Sequence, residues 1–373
     1  MYFFFTFGYK FIGRSEIYSD IMLKYILKRI SYGLLILTGV TIVVFLLFHA
    51  LPGDPVSMVL GQRSDEATRK AITEDLGLDK SLKEQLYLYF RDLSPLSIHK
   101  DTPEEQEKYR YARIIPMGES VLAVKFPYFR RSFQTQKRVS EIINDRIWNT
   151  LVLAMSAMAF ATIVGIFLGI VAARNQGKFL DRLLIPLTTL GFSVPSFVAA
   201  AVISKYFGYT WGEYLGLNGI GSLWEFDPAS DERRLMLNNL ILPTITLGIR
   251  PLSIIVQLTR SSMIDVLSQD YIRTARAKGV PKNLLIYKHA LKNSLIPVVT
   301  SVSGWLASLM GGAFFVEWIF EYKGIGFETI SAVFTLDLPI IMASTLIVAA
   351  IFIVISVLVD ILYTYIDPRI RLQ

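Results

Sequence analysis

The sequence predicts an all-α polytopic membrane protein with six transmembrane helices, and three observations carry that prediction. The 373 residues are 53% hydrophobic and 18% charged, with a mean hydropathy of +0.45, whereas soluble domains are nearer a quarter charged. Six apolar runs have about the 20-residue length that spans a bilayer core. The loops between them alternate in charge, as the positive-inside bias requires. The formal net charge of +7 therefore reads as cytoplasmic loops beside membrane lipid, not as a nucleic-acid surface. With no cysteine in the chain, a disulfide, an iron–sulfur cluster or a thiolate zinc site is excluded. His49, His99 and His289 lie far apart and lack metal-ligand spacing, so no metal site is expected.

The elements follow in order. Residues 1–21 are aromatic but patternless, without the parts of a signal peptide. They read as a loosely ordered tail or as sequence ahead of a start at Met22. Residues 1–29 form a cytoplasmic segment, with Lys24, Lys28 and Arg29 on the inner side of the first membrane helix, 30–51. That helix stops at His-Ala-Leu-Pro52-Gly53-Asp54-Pro55, where proline and glycine break it. His49 at its end reads as a hydrogen-bonded helix-end histidine in preference to a solute contact.

Residues 52–146 form a large extracytoplasmic loop. Helices are expected at about Ser64–Leu76 and Leu82–Leu93, the second opened by Ser81 and Glu84 in capping-box spacing. Residues 94–125 are polar and charged, and read as an insertion without a legible role. The rest of the membrane core, 147–366, begins with a helix at about Trp148–Ala173, where Gly165 and Gly169 give a small packing face. A third helix, Leu183–Phe207, contains Pro186, Gly191 and Pro195. Ser193 and Ser196 could satisfy the carbonyls freed by proline; equally, the helix could be broken and line a translocation path.

An acidic, aromatic loop suits the outer interface and leads to a fourth helix, Leu240–Met263. It carries Arg250, a costly residue at membrane depth that needs a wet cavity or a partner, or a later helix start that lets it snorkel. The fifth helix, Ile296–Phe315, shows Gly304, Ser308, Gly311 and Gly312 on a small face. Glu317 follows at an outer turn, in a structural role or as a gate or solute contact. The sixth helix, Leu338–Ile361, ends in a basic cytoplasmic tail, 367–373. Both termini are thus cytoplasmic.

The most informative polar stretch is the loop 264–294 between helices four and five. Between Arg260 and Lys292 it holds seven Lys/Arg against two Asp/Glu. Asp270 to Lys278 reads as a short helix ended by Gly279, because glycine accepts the left-handed C-cap. Pro281 suits the first turn of a second helix. Ala275 and Gly279, four apart, lie on one side of the first helix, within a rim of Arg273, Arg276, Lys278 and Lys282. A small face with a basic rim fits a docking helix for a soluble partner; a positive-inside surface helix is the plainer alternative.

Tyr271-Ile-Arg273-Thr274-Ala275-Arg276-Ala277-Lys278-Gly279, followed by His289-Ala-Leu-Lys-Asn-Ser-Leu-Ile-Pro297, resembles the coupling loop of bacterial ABC importer permeases of the dipeptide, oligopeptide and nickel subgroup. The resemblance covers about residues 22–93 and 127–371. It departs at Arg250–Pro251 and at Tyr322–Lys323, and Thr274 stands where the broader family motif begins with an acidic residue. The resemblance implies that Asp270, Tyr271, Arg273, Thr274, Ala275, Arg276, Ala277, Lys278 and Gly279 couple to an ATPase. It further implies a second homologous permease that forms a heterodimer with this chain, two ATP-binding subunits, an extracytoplasmic solute-binding protein and a bacterial inner-membrane location. ATP and magnesium would be handled by the partner subunits, with no cofactor on this chain. Ser193, Pro195, Ser196, Ser308, Gly312 and Glu317 are candidates for the path.

No Gly-x-x-x-x-Gly-Lys-Ser/Thr or Gly-x-Ser-x-Gly sequence occurs, so no catalytic residue is assigned and energy for transport must arrive from a partner. A secondary transporter would carry ionisable residues at mid-membrane for ion coupling; Arg250 is the main candidate, and no acid lies mid-helix. An intramembrane enzyme would show paired catalytic residues. Neither rival explains the basic loop.

Overall fold

The computed structural model describes residues 5–50, 70, 73, 79–227 and 232–366. Five helices are long and apolar enough to cross a membrane: Tyr25–Leu47 within α1 (Phe5–Ala50), α4 (Val139–Arg174), α8 (Asn238–Leu267), α12 (Ile296–Ile319) and Leu338–Ile361 within α14 (Leu338–Ile366). The sixth span is a bent pair. α5 (Phe179–Ser193) and the helical segment Ser196–Thr210, which opens with α6 (Ser196–Ile203), meet at 106°. The fold is thus the all-α polytopic membrane class, with short strands only between the spans.

Three boundaries differ from expectation. α1 is helical from Phe5, through most of residues 1–21 that read as a loose tail and well ahead of Ile30, because no proline interrupts the chain up to Ala50. α4 starts at Val139, since the amphipathic lead-in continues the membrane helix. α8 starts at Asn238, ahead of Leu240, which removes the late start that would let Arg250 snorkel. The expected helix at Ser64–Leu76 and the Pro52–Pro55 ending fall outside the described residues, apart from residues 70 and 73.

The chain divides into two compact units. In the first, Met1–Leu35, Trp148–Phe327 and Ala350–Gln373, α8 is the packing centre. Its neighbours approach closely because small residues face it: a Cβ on Gly165 of α4 would lie 2.7 Å from the Ile255 side chain, and one on Gly169 would lie 2.9 Å from the Val256 carbonyl. Close backbone approach of this kind replaces the hydrophobic drive that lipid does not supply. Ser253 of α8 donates to the Thr188 carbonyl of α5 at 2.5 Å. α1 meets α14 through an Arg29–Asp360 ion pair at 2.9 Å.

The second unit, Ile36–Ile147 and Glu328–Ala349, contains α2 (Leu82–Leu93), with the expected capping box between Ser81 and Glu84. The segment read as an insertion is a folded lobe. β1 (Leu96–Lys100), α3 (Pro103–Tyr109), β2 (Ala112–Met117) and β3 (Ser120–Val124) form an antiparallel sheet in the order β1-β3-β2. Pro116 sits on β2, an edge strand, where a missing N–H is tolerated. Tyr109, Tyr111, Val121 and Ala123 form its core.

Polar groups are enclosed with them. Tyr109 donates to Asp92 at 2.9 Å, Arg91 donates to the Tyr109 hydroxyl at 2.9 Å, and Lys125 donates to the Asp92 carbonyl. His99, 1% exposed, stacks on Tyr111 and is bonded to Ser97 at 2.8 Å and Glu105 at 3.0 Å. Burial pushes the Lys125 ammonium down to about 8 against the pull of Asp92, and holds the His99 imidazole below its usual range against Glu105.

Candidate functional site

α9 (Asp270–Ala277) is a two-turn amphipathic helix. Ile272, fully buried, drops into a cluster with Ile170, Ala173, Met263, Leu285, Ile286 and Ala290, and Ala275 and Val280 pack against it. The helix is therefore fastened by its one large apolar side chain. Gly279 has φ +78° and ends it as expected. The Gly279 N–H reaches the Arg276 carbonyl at 3.0 Å and Val280 N–H reaches the Ala275 carbonyl at 3.2 Å, closing the last turn. Pro281 precedes the next helix, α10 (Lys282–Leu284), as its cap and does not lie inside its first turn. Tyr271 accepts a 2.8 Å bond from Asn293, bracing α9 against α11 (Leu291–Ser294).

This geometry divides the predicted residues. Asp270, Tyr271, Arg273, Thr274, Arg276, Ala277, Lys278 and Gly279 are exposed. Ala275 is half-buried on the chain's own cluster, so it does not share a free face with Gly279. The reason is periodic: Ala275 follows Ile272 by three and turns inward with it. The exposed small positions are Ala277 and Gly279, and a Cβ on Gly279 would meet nothing within 4 Å. Arg273 pairs loosely with Asp270 at 3.6 Å; both are exposed, so the pair adds little stability. Arg276, Lys278, Lys282 and Lys292 are exposed and make no ion pair among the described residues.

Just before α9, Arg260 of α8 grips Asp181 of α5 with two bonds of 2.5 and 2.7 Å, and Asp181 also accepts from the Gly177 N–H at 2.9 Å. This bidentate clamp joins the ends of two membrane helices next to the basic segment. Sequence reasoning missed it because the partners are 79 positions apart. It also missed Ile272, whose signal was a single large apolar residue in a polar run.

The path candidates scatter. Ser193 is exposed and donates to the Thr189 carbonyl at 3.0 Å; Pro195 caps α6, with Ser196 as its first residue. The helix is thus broken at Val194–Pro195. Ser308 and Gly312 are exposed on α12. Glu317 is 0% exposed and presents no surface to a solute. Its carboxylate accepts from the Gly326 and Phe327 N–H groups at 2.7 and 3.1 Å, which are free donors at the start of α13 (Ile325–Thr335). A Cβ on Gly324 would lie 2.5 Å from that carboxylate, so the turn needs glycine there. Asn149 and Thr150 of α4 hold the same turn through the Lys323 carbonyl and the Ile325 N–H, both at 2.8 Å.

A multi-span helical bundle with a basic amphipathic helix between two of its spans defines an integral membrane protein. Residues 165–372 match the family described as binding-protein-dependent transport system inner membrane component, and residues 22–107 match the N-terminal region of such membrane components. The chain belongs to that family and is a multi-pass inner-membrane permease. The N-terminal match takes in the first part of the lobe, so that segment is not wholly foreign to the family. The chain is 35% identical over 363 residues to the dipeptide transport system permease protein DppB of Alkalihalophilus pseudofirmus, covering 94% of this chain and 100% of that one. It is 34% identical over 350 residues to the glutathione transport system permease protein GsiC of Salmonella paratyphi A, covering 94% and 99%. Among solved structures, a chain of the inward-facing MetNI methionine ABC transporter aligns with TM-score 0.47 at 14% identity, over 61% of this chain and 97% of that chain.

Proposed function

We propose that this chain is the permease of an ATP-driven importer of dipeptides, oligopeptides or similar small solutes. It shares the path with a second, homologous permease as a heterodimer. Of two ATP-binding subunits that hydrolyse ATP with magnesium, one docks on the exposed face of α9, while a solute-binding protein delivers cargo from outside. Both termini are cytoplasmic. The supporting observation is α9 itself: fastened inward by Ile272, braced by Tyr271, and presenting basic and small side chains outward. A rigidly seated helix can transmit a push from a partner to α8 and α5, which the Arg260–Asp181 clamp joins. Glu317 serves as a turn clamp, not as a path contact. The relatives' names supply the cargo class.

The test is reconstitution of the chain with its second permease, ATPases and binding protein in vesicles. Uptake of alanyl-alanine should require ATP on the α9 side and binding protein on the other. Uptake without ATP, driven by an ion gradient, would refute the proposal.

A further inference from the structure

Arg250 lies within the apolar length of α8 and has no carboxylate partner among the described residues. At 1.5 Å per residue it stands roughly 18 Å from Asn238 and about 25 Å from Leu267. Arg260 on the same helix is spent on Asp181. Arg250 is exposed, makes no ion pair among the described residues, and lays its guanidinium 5.4 Å from the centre of the Phe192 ring. Phe192 is braced edge-to-face by Trp305 of α12 at 6.4 Å. The next residue, Ser193, ends α5 at the bend. Thr189 and Ser193 are exposed one turn apart, and Gln257 of α8 reaches the Thr189 hydroxyl at 3.4 Å. A stripe of hydroxyl, amide and guanidinium groups therefore crosses two apolar helices. Thr189 and Ser193 donate to carbonyls of their own helix, so it is the guanidinium that lipid serves poorly, and it faces water, solute or the second permease.

We propose that Arg250 is a specificity-determining residue that receives the terminal carboxylate of the transported peptide at the break between α5 and α6. The inference rests on the peptide-permease reading above. A guanidinium offers two parallel N–H donors to the two oxygens of a carboxylate. The Phe192 face orients it by a cation–π contact without neutralising it, so the charge stays available to an anion that must pass through an apolar span.

The assembled transporter, reconstituted with its ATPases and binding protein, tests this with alanyl-alanine as probe. Arg250→Gln should lower uptake about tenfold or more, while loaded binding protein still stimulates ATP hydrolysis at the unaltered rate. Arg250→Lys should recover part of the uptake, since it restores charge without the paired donors. Unchanged uptake in Arg250→Gln overturns the inference. So does joint loss of uptake, stimulation and assembly, which would mark a structural role or pairing with the second permease. The underlying path is tested separately. The chain has no cysteine, so Ser193→Cys in an otherwise unaltered chain should react with a membrane-impermeant thiol reagent. No labelling there, or no alanyl-alanine uptake by the unaltered complex, overturns the reading on which the inference stands.

Discussion

Two polar stretches of this chain, the basic segment around α9 and the lobe from β1 to β3, look alike in composition and are built in opposite ways. In the basic segment the charges stay outside: Arg273, Arg276, Lys278 and Lys282 are exposed, and one isoleucine does the anchoring. In the lobe the polar groups go inside: Asp92, Lys125, Ser97 and His99 are all buried beside tyrosines. Polarity in a sequence thus marks a surface only where no partner for it lies nearby in the fold. The first segment is held by a side chain that can be cut away cleanly. The second is held by a network in which each loss leaves another group unsatisfied.

That contrast sets the order of expected effects. The largest falls on the lobe. Tyr109→Ala removes a core ring and takes one partner each from Asp92 and Arg91, and large-to-small aromatic truncations cost about 3–5 kcal/mol. Rapid proteolysis within residues 94–125 should follow, with the membrane helices intact. A protease-resistant variant would mean that the network carries little of the lobe's stability.

Ile272→Ala comes next, at about 2–5 kcal/mol for a buried branched aliphatic. Only α9 should loosen, seen as faster amide hydrogen exchange across residues 268–280. Exchange unaltered from the parent chain would show that Tyr271 and the helix ends suffice to hold it.

Glu317→Gln keeps an acceptor for the Gly326 and Phe327 N–H groups and should cost about 1–2 kcal/mol, the difference between a charged and a neutral acceptor. Uptake should change little, whereas Glu317→Leu, which leaves both donors bare, should impair folding. Loss of transport in a well-folded Glu317→Gln chain would restore a charge-dependent gate.

A smaller effect is pH-dependent. The His99 imidazole is held below its ordinary value by burial, with Arg91 and Lys125 adding to the depression and Glu105 opposing it. In the unfolded lobe it takes up a proton first as pH falls, so the lobe is at full stability above about pH 6.5 and loses stability below it. His99→Gln should flatten that dependence in a proteolysis profile taken from pH 7.5 to 5. An unaltered acid profile would place the titration on another group.

The same contrast explains what the sequence made legible. Apolar run length located the spans, and the capping residues Ser81 and Gly279 located helix ends, because these signals are local. The bend at Val194–Pro195 was visible only as a choice between two readings, since a proline in a membrane helix can be tolerated or can break it. The lobe was illegible because β1 buries Ser97 and His99, which erases the apolar alternation of a strand, and because tyrosines share the core with Val121 and Ala123. Spacing from Gly279 alone misplaces Ala275; its spacing from Ile272, the residue that must be buried, turns it inward.

The docking of ATPase subunits on α9 is tested most directly at Gly279. Its φ of +78° suits glycine or asparagine, and the space in front of it is open within this chain. Gly279→Asn should keep the helix end and test only the added side chain, whereas Gly279→Leu adds bulk and backbone strain together. The measurement is co-purification of the ATP-binding subunits with each variant, beside ATP-dependent uptake. The account predicts that Gly279→Leu loses its ATPases and its uptake while the chain still reaches the membrane, with Gly279→Asn intermediate. A Gly279→Leu chain that retains its ATPases and transports at the parent rate would contradict it.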